Sequence, residues 1–315
     1  MGERGWSALP FEDFITMEKV SKDEIREALD LARVHASGRL PFSLAGKSVC
    51  LAFFEVSTRT AASFELAARR AGADVISIAA EGSSLKKGES LLDAVVTLDS
   101  LGADAIVLRH PSAGAATLAA RHIRAALVNA GDGRGQHPTQ ALLDLYALCE
   151  AYGGFDELPD RRVAIIGDVL HSRVARSVIP AFRAAGMEVA LVAPETLLPS
   201  EAGAWGLPVL SSVDEALDWG AGVLYALRLQ RERMAGKIPR VPSIAEYARY
   251  YGVARRHLEA GVYVMHPGPV NRGVEIQSDV VLSECSLIPA QVASGVAVRQ
   301  AVLALATGVA QRAAA

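Results

Sequence analysis

Short, almost wholly apolar and often β-branched runs alternate along the chain with longer segments whose apolar residues recur at helical spacing. The runs predict strands over Ser48–Phe54, Asp74–Ile78, Asp104–Leu108, Ala126–Asn129, Arg162–Ile166, Glu188–Val192, Gly222–Leu227 and Val262–Met265. Helices are predicted over Lys22–Ala36, Thr58–Ala71, Leu91–Leu101, Thr139–Ala151 and Ser172–Ala185. Strands apolar on both faces, alternating with helices, indicate an α/β fold with parallel sheets.

The rhythm breaks at "AYGGFDELPDRR", Ala151 to Arg162, where paired glycines, a proline and a charge cluster end one helix and lead into a new strand. A boundary there predicts two domains, 1–150 and 151–289, each a parallel sheet of about four strands with helices on both faces. A last amphipathic helix over 290–312 could by its pattern pack on either half, and is assigned to the first domain.

At 315 residues the chain has room for two ordinary cores, and 51% hydrophobic with 21% charged residues is a soluble globular composition. A net charge of -3 gives no reason to expect nucleic acid or an acidic membrane as partner. Cys50, Cys149 and Cys285 are far apart and form no C-x-x-C, which excludes a disulfide framework and a zinc motif. The polar N-terminus carries no signal-type apolar core, and no apolar run looks long enough to span a bilayer, so a cytoplasmic location is expected.

Ligands of open parallel sheets bind at the carboxyl ends of the strands. The segments following the strands are "EVSTRT", "RHP", "AGDGRGQHPTQ", "GDVLHSRVARS", "RLQRER" and "HPGPVNRG", nearly all with an arginine, a histidine or a glycine-rich turn. Ser57, Thr58, Arg59 and Thr60 stand where a strand turns into a helix, with Ser57 the expected cap. A helix start offers free N–H groups and a positive dipole end, so hydroxyls and a guanidinium there suit a phosphate. Arg109, next after a buried strand, can supply a bidentate guanidinium. His137 and Gln140 share the opening turn of a helix that Pro138 starts, and a histidine there can donate to a carbonyl oxygen gaining charge. Of Arg173 and Arg176 one is expected to face solvent. Arg228 and Gln230 alternate, and with a second arginine suit a dicarboxylate. "SSLKKGES", Ser83 to Ser90, reads locally as a polar loop holding Lys87.

Competing motifs fail. "PFSLAGKS" has Pro41 where a P-loop needs its first glycine, and no G-x-G-x-x-G follows "RVAIIGD". Neither a G-x-S-x-G elbow nor an H-E-x-x-H pair is present. The pattern points to an anion site with no nucleophile, metal or redox cofactor.

Taken in order, "STRT", "SSLKKGES", "RHP", "HPTQALLDLY", "GDVLHSRVARS", "LRLQRERM" and "HPGP" resemble the aspartate/ornithine carbamoyltransferase family over nearly the whole chain. "LRLQRER" and "HPGP" favour its aspartate branch. The resemblance implies a carbamoyl phosphate-binding first domain and an aspartate-binding second one, with the active site in the crevice between them and no cofactor. It implies that Ser57, Thr58, Arg59, Thr60 and Arg109 hold the phosphate. Thr60, Arg109 and His137 would polarise the carbamoyl carbonyl, and Gln140 would bind its nitrogen. Arg173, Arg228 and Gln230 would take the aspartate carboxylates, and Gly268 and Pro269 would line the site through backbone carbonyls. Lys87, with Ser83 or Ser84, would enter from a neighbouring subunit of a homotrimer. Regulatory chains or dihydroorotase remain open as further partners.

Two positions depart from the family's usual P-S-T-R-T-R: Val56 replaces its proline and Ala61 its second arginine. The missing arginine is expected to loosen the loop or to leave Glu65 without a partner, and to lower affinity for carbamoyl phosphate while activity is retained. A carbamoyltransferase for another amino acid, and a non-catalytic relative, are the rival readings.

Overall fold

A computed structural model describes residues 13–79, 90–230 and 243–312. The chain divides into two compact units, one running to Leu143 and resuming at Ser294, the other spanning Asp144–Ala293.

The first unit contains β1 (Asp13–Phe14), α1 (Lys22–Ala36), β2 (Ser48–Phe53), α2 (Thr58–Arg70), β3 (Asp74–Ala79), α3 (Leu91–Ser100), β4 (Ala105–His110), α4 (Ala115–Ala120), β5 (Ala126–Asp132) and the start of α5 (Pro138–Tyr152). Its sheet has the order β1-β5-β4-β2-β3 and every pairing is parallel. Cys50, Ala52, Ile106, Leu108 and Leu127 pack with Val95 and Leu98 of α3 and Ala116 and Ala119 of α4. The alternate residues Val49, Leu51, Val107 and Val128 are buried too, so the strands are covered on both faces.

The second unit contains β6 (Arg162–Ile166), α6 (Arg173–Ala184), β7 (Glu188–Val192), β8 (Val209–Leu210), α7 (Val213–Asp218), β9 (Val223–Ala226), α8 (Ile244–Tyr251), β10 (Tyr263–Met265), α9 (Ser278–Val281) and the start of α10 (Ile288–Ala306). Its parallel sheet has the order β10-β9-β6-β7-β8. Each sheet thus has five strands, not four. The additional strands, β1 and β8, are two residues long and lie at sheet edges.

Three expectations change at the C-terminus. The final helix is α10 followed by a separate turn, α11 (Val309–Arg312), with Gly308 at φ 67 between them. From Ala297 to Ala306 α10 is buried on all sides, so it is not amphipathic there. By length and composition α10 could cross a membrane, contrary to the reading of the apolar runs, yet 67% of its apolar window is buried inside the protein. The division into compact units falls within α5 and α10. Beyond Leu143, α5 makes its contacts in the second unit, Tyr152 stacking edge-on against Tyr263 at 5.2 Å.

Candidate active site

In each sheet the strand order reverses once. In the first unit β2 has β3 on one side and β4 on the other, and in the second β6 has β7 and β9. The carboxyl ends beside such a reversal splay their loops apart and leave a binding crevice. Phe53 pairs with Arg109 and Ile166 with Ala226, so the strand ends lie level at both reversals. These four ends and the loops leaving them carry STRT, RHP, GDVLHSR and LRLQ, with Arg109 and His110 the last two residues of β4 and not beyond it.

Across the two units α1, α3, α6, α7 and α8 all begin with a serine side chain accepting a backbone N–H, but α2, in the first unit, does not. Ser57 sits at its start with φ -160 and makes no side-chain cap, so the expected cap is absent. Thr60 is buried, Ser57 half-buried, and Thr58 and Arg59 exposed. Arg109 is 8% exposed; its Nη2 lies 3.0 Å from Glu55 Oε2 and its Nη1 donates to Ala130 O at 3.1 Å. The β2 and β4 exits are tied by Phe54 N donating to Arg109 O at 2.8 Å. Glu65 has Arg69 at 3.0 Å, so the missing arginine does not leave it without a partner. An exposed i,i+4 pair of this kind contributes about 0.3–0.5 kcal/mol.

His137 and Gln140 are buried at the start of α5, which opens with Pro138 as anticipated. The turn before them is held by Asp132, itself buried, whose carboxylate accepts from Gly114 N at 2.6 Å, Gln136 N at 2.6 Å and Asn129 Nδ2 at 3.1 Å. Gly135 passes so close that a Cβ there would lie 2.6 Å from Asp132 Oδ1. Burial holds the neighbouring His110 imidazole below its ordinary range, against the upward pull of Asp132 and Glu55.

In the second unit Arg173 begins α6, buried and behind the Ser172 cap. Arg176 is the arginine used elsewhere, 3.2 Å from Glu201. Beyond β9, Leu229 is buried while Arg228 and Gln230 are half-buried, which preserves the alternation read from the sequence. Two buried carboxylates fix this segment. Leu229 N donates to Glu275 Oε1 at 2.9 Å, and Gln230 N to Asp168 Oδ2 at 3.1 Å. Asp168 also accepts from His171 N and Nδ1, and Glu275 from Asn271 N and Nδ2. Past β10, Gly268 N donates to His266 Nδ1 at 2.7 Å.

Within each unit the predicted residues therefore gather at the exits of neighbouring strands; Ser83, Ser84 and Lys87 lie outside the described residues. Asp132, Asp168 and Glu275 were missed. Two of them carry a readable signal: Gly131-Asp132 and Gly167-Asp168 both close an apolar strand, with φ 118 and 111 at the glycines. Among the described residues no group of three or more His, Cys, Asp or Glu is placed to hold a metal ion.

The fold and these loops are those of a known family. Its sequence models match residues 12–150 as the "Aspartate/ornithine carbamoyltransferase, carbamoyl-P binding domain" and residues 159–306 as the "Asp/Orn binding domain". The chain belongs to the aspartate/ornithine carbamoyltransferase family. It is 74% identical over 96% of its length to the aspartate carbamoyltransferase catalytic subunit of Rubrobacter xylanophilus, covering 99% of that protein. It is 46% identical to that of Desulfitobacterium hafniense, over 96% of this chain and 97% of the other. Among solved structures, the catalytic subunit of M. jannaschii aspartate transcarbamoylase superposes with a TM-score of 0.79 at 35% identity, covering 96% and 98% of the two chains. The Trypanosoma cruzi enzyme in complex with carbamoyl phosphate and aspartate superposes at 0.78 with 30% identity, covering 91% and 93%.

Proposed function

We infer that the chain transfers the carbamoyl group of carbamoyl phosphate to the amine of L-aspartate, giving N-carbamoyl-L-aspartate and phosphate, a step of pyrimidine biosynthesis. The observation that carries this reading is the different chemistry at the two strand-order reversals. One has hydroxyls, a helix start and guanidinium groups suited to a phosphate, and the other has arginines and a glutamine suited to a dicarboxylate. The T. cruzi relative holding both substrates supports the pairing of these two ligands.

Ser57, Thr58, Arg59, Thr60 and Arg109 take the phosphate. Thr60, Arg109 and His137 face the carbamoyl oxygen, and Gln140 its nitrogen. Arg173, Arg228 and Gln230 take the two carboxylates, and the backbone around Gly268 and Pro269 lines the site. The amine attacks the carbamoyl carbon, the oxygen gains charge in the tetrahedral intermediate, and the C–O bond to phosphate breaks. The amine proton ends on the departing phosphate, so no strong protein base is needed. What the protein supplies is orientation and stabilisation of the oxyanion. The family resemblance supports a homotrimer in which Lys87 and Ser83 or Ser84 of one subunit complete a neighbour's site, in the cytoplasm.

Steady-state assay of ureido product with aspartate, and with ornithine as control amine, tests the reading. Carbamoyl aspartate is the expected product. None at saturating concentrations of both substrates refutes it.

A further inference from the structure

Asp144 lies on α5 one turn beyond Gln140 and is fully buried, as is Tyr225 on β9. Tyr225 Oη donates to Asp144 Oδ2 at 2.6 Å, and Gln291 Nε2 on α10 donates to Asp144 Oδ1 at 2.7 Å. The other end of the Gln291 amide, Oε1, accepts the backbone N–H of His266 at 3.0 Å. That last bond sets the direction of the bond between Gln291 and Asp144. His266 N can only donate, so the Gln291 oxygen must face it and the Gln291 NH2 must face Asp144. Asp144 then meets a donor at each oxygen, which only a carboxylate can satisfy on both sides.

These contacts converge on the ends of two neighbouring strands. Tyr225 is paired in register with Met265, the residue before His266. Three residues beyond Tyr225 is Arg228, and two beyond His266 is Gly268. Burial, and then the adjacent Asp144, push the Tyr225 hydroxyl well above its ordinary range, so it stays a donor at any working pH.

We propose that Asp144, with Tyr225 and Gln291, is a positioning group for the amino-acid subsite. It fixes where the chain leaves β9 and β10, and so where Arg228, Gln230 and the Gly268–Pro269 turn stand. The proposal rests on the carbamoyltransferase reading, because the subsite it positions is the one assigned to aspartate.

Gln291→Glu gives a test that a merely structural role would not pass. Protonated, the new carboxyl reproduces the native pattern: its carbonyl oxygen accepts from His266 N, and its O–H donates to Asp144. Ionised, it sets a second carboxylate against Asp144, in a pocket otherwise faced by Tyr225 from β9 and by His266, whose Nε2 lies 3.7 Å from Glu275. Burial and the like charge raise the pKa of such a carboxyl by up to several units. The aspartate KM of the variant is expected to be within about twofold of wild type near pH 6 and to rise about tenfold by pH 9, equivalent to about 1.4 kcal/mol. The carbamoyl phosphate KM should follow wild type throughout. Tyr225→Phe, a milder change, should raise the aspartate KM several-fold, again without moving that for carbamoyl phosphate.

An aspartate KM that tracks wild type at every pH in both variants overturns the proposal. So does a loss that never recovers at low pH, or one shared equally by both substrates. A wild-type chain that forms no carbamoyl aspartate refutes the assigned reaction itself, and is seen before any variant is measured.

Discussion

Replacing Glu275 by glutamine turns one carboxylate oxygen into an NH2 group and keeps the shape of the side chain. Glu275 is 1% exposed and accepts three hydrogen bonds: from Leu229 N at 2.9 Å, and from Asn271 Nδ2 and Asn271 N at 2.6 Å each. Oε1 takes Leu229 N and Asn271 Nδ2, while Oε2 takes Asn271 N, so either orientation of the new amide points a donor at a donor. The less costly one turns NH2 toward Asn271 N and keeps Leu229 N. It forfeits one charge-assisted bond, about 1.5–3 kcal/mol, and leaves a buried N–H unsatisfied. A net loss of about 2–3 kcal/mol lowers the melting temperature of a unit this size by roughly 4–12 °C. Because the kept bond still tethers Leu229, the aspartate KM should rise only a few-fold, whereas Glu275→Ala frees Leu229 N and should raise it further. Thermal unfolding and steady-state kinetics on the same preparations measure both. A melting shift under 2 °C with the two KM values unchanged would refute the idea that this carboxylate holds the segment.

The same group predicts a pH effect. Burial alone would raise its carboxyl, but His266, Leu229 N and Asn271 together hold it below its ordinary value. Its stabilisation is therefore complete above that value and is lost as pH falls through the lower folded one; acid unfolding of Glu275→Gln should lack this part of the slope. Arg299→Lys should weaken the first unit by about 1–3 kcal/mol. Arg299 is buried on α10, donates to Ser63 Oγ on α2 at 2.7 Å and stacks over Phe64 at 4.9 Å; calorimetry should show weaker carbamoyl phosphate binding, since Ser63 follows the STRT turn closely. Gly135→Ala forces a methyl to 2.6 Å from Asp132 Oδ1, and at a cost of about 1–3 kcal/mol should depress kcat by displacing the turn before His137. Ala61→Arg meets a Glu65 already paired with Arg69, so its gain in stability by denaturant titration should stay under about 1 kcal/mol.

The long strands were legible because each is covered on both faces and so is written as an unbroken apolar run; Arg162–Ile166 and Glu188–Val192 were read to the residue. The edge strands β1 and β8 were not, since two residues make no pattern and their pairing is decided by neighbours distant in sequence: Asp13 and Phe14 pair with Leu127 and Val128. The short helices α4, α7, α8 and α9 were hidden for a related reason, as a turn or two is too brief for a helical period to show. At the site, the residues proposed to meet a ligand stand out by their chemistry at strand ends. Those that hold the loops do not, because a buried aspartate in a string resembles an exposed one until its donors are in place. Ser57 shows the converse error: its position suggests a cap, but its hydroxyl is not turned back onto the helix.

The loops that present cations share one device. Strand exits leave backbone N–H groups with no sheet partner, and those groups must be satisfied if the loop is to keep a single shape. A neutral side chain could accept at one atom, but Asp132, Asp168 and Glu275 each receive three or more donors converging from different segments. An ionised carboxylate has only acceptor sites, so it collects several amides at once and binds each more strongly than an amide oxygen would. Facing a dianionic phosphate, the same groups would oppose the ligand. Buried behind the loops and surrounded by donors, they spend their charge on the backbone instead. The arginine-rich surface proposed to meet substrate thus depends on acids one layer back, and their loss is expected to act on substrate affinity through the loops and not through direct contact.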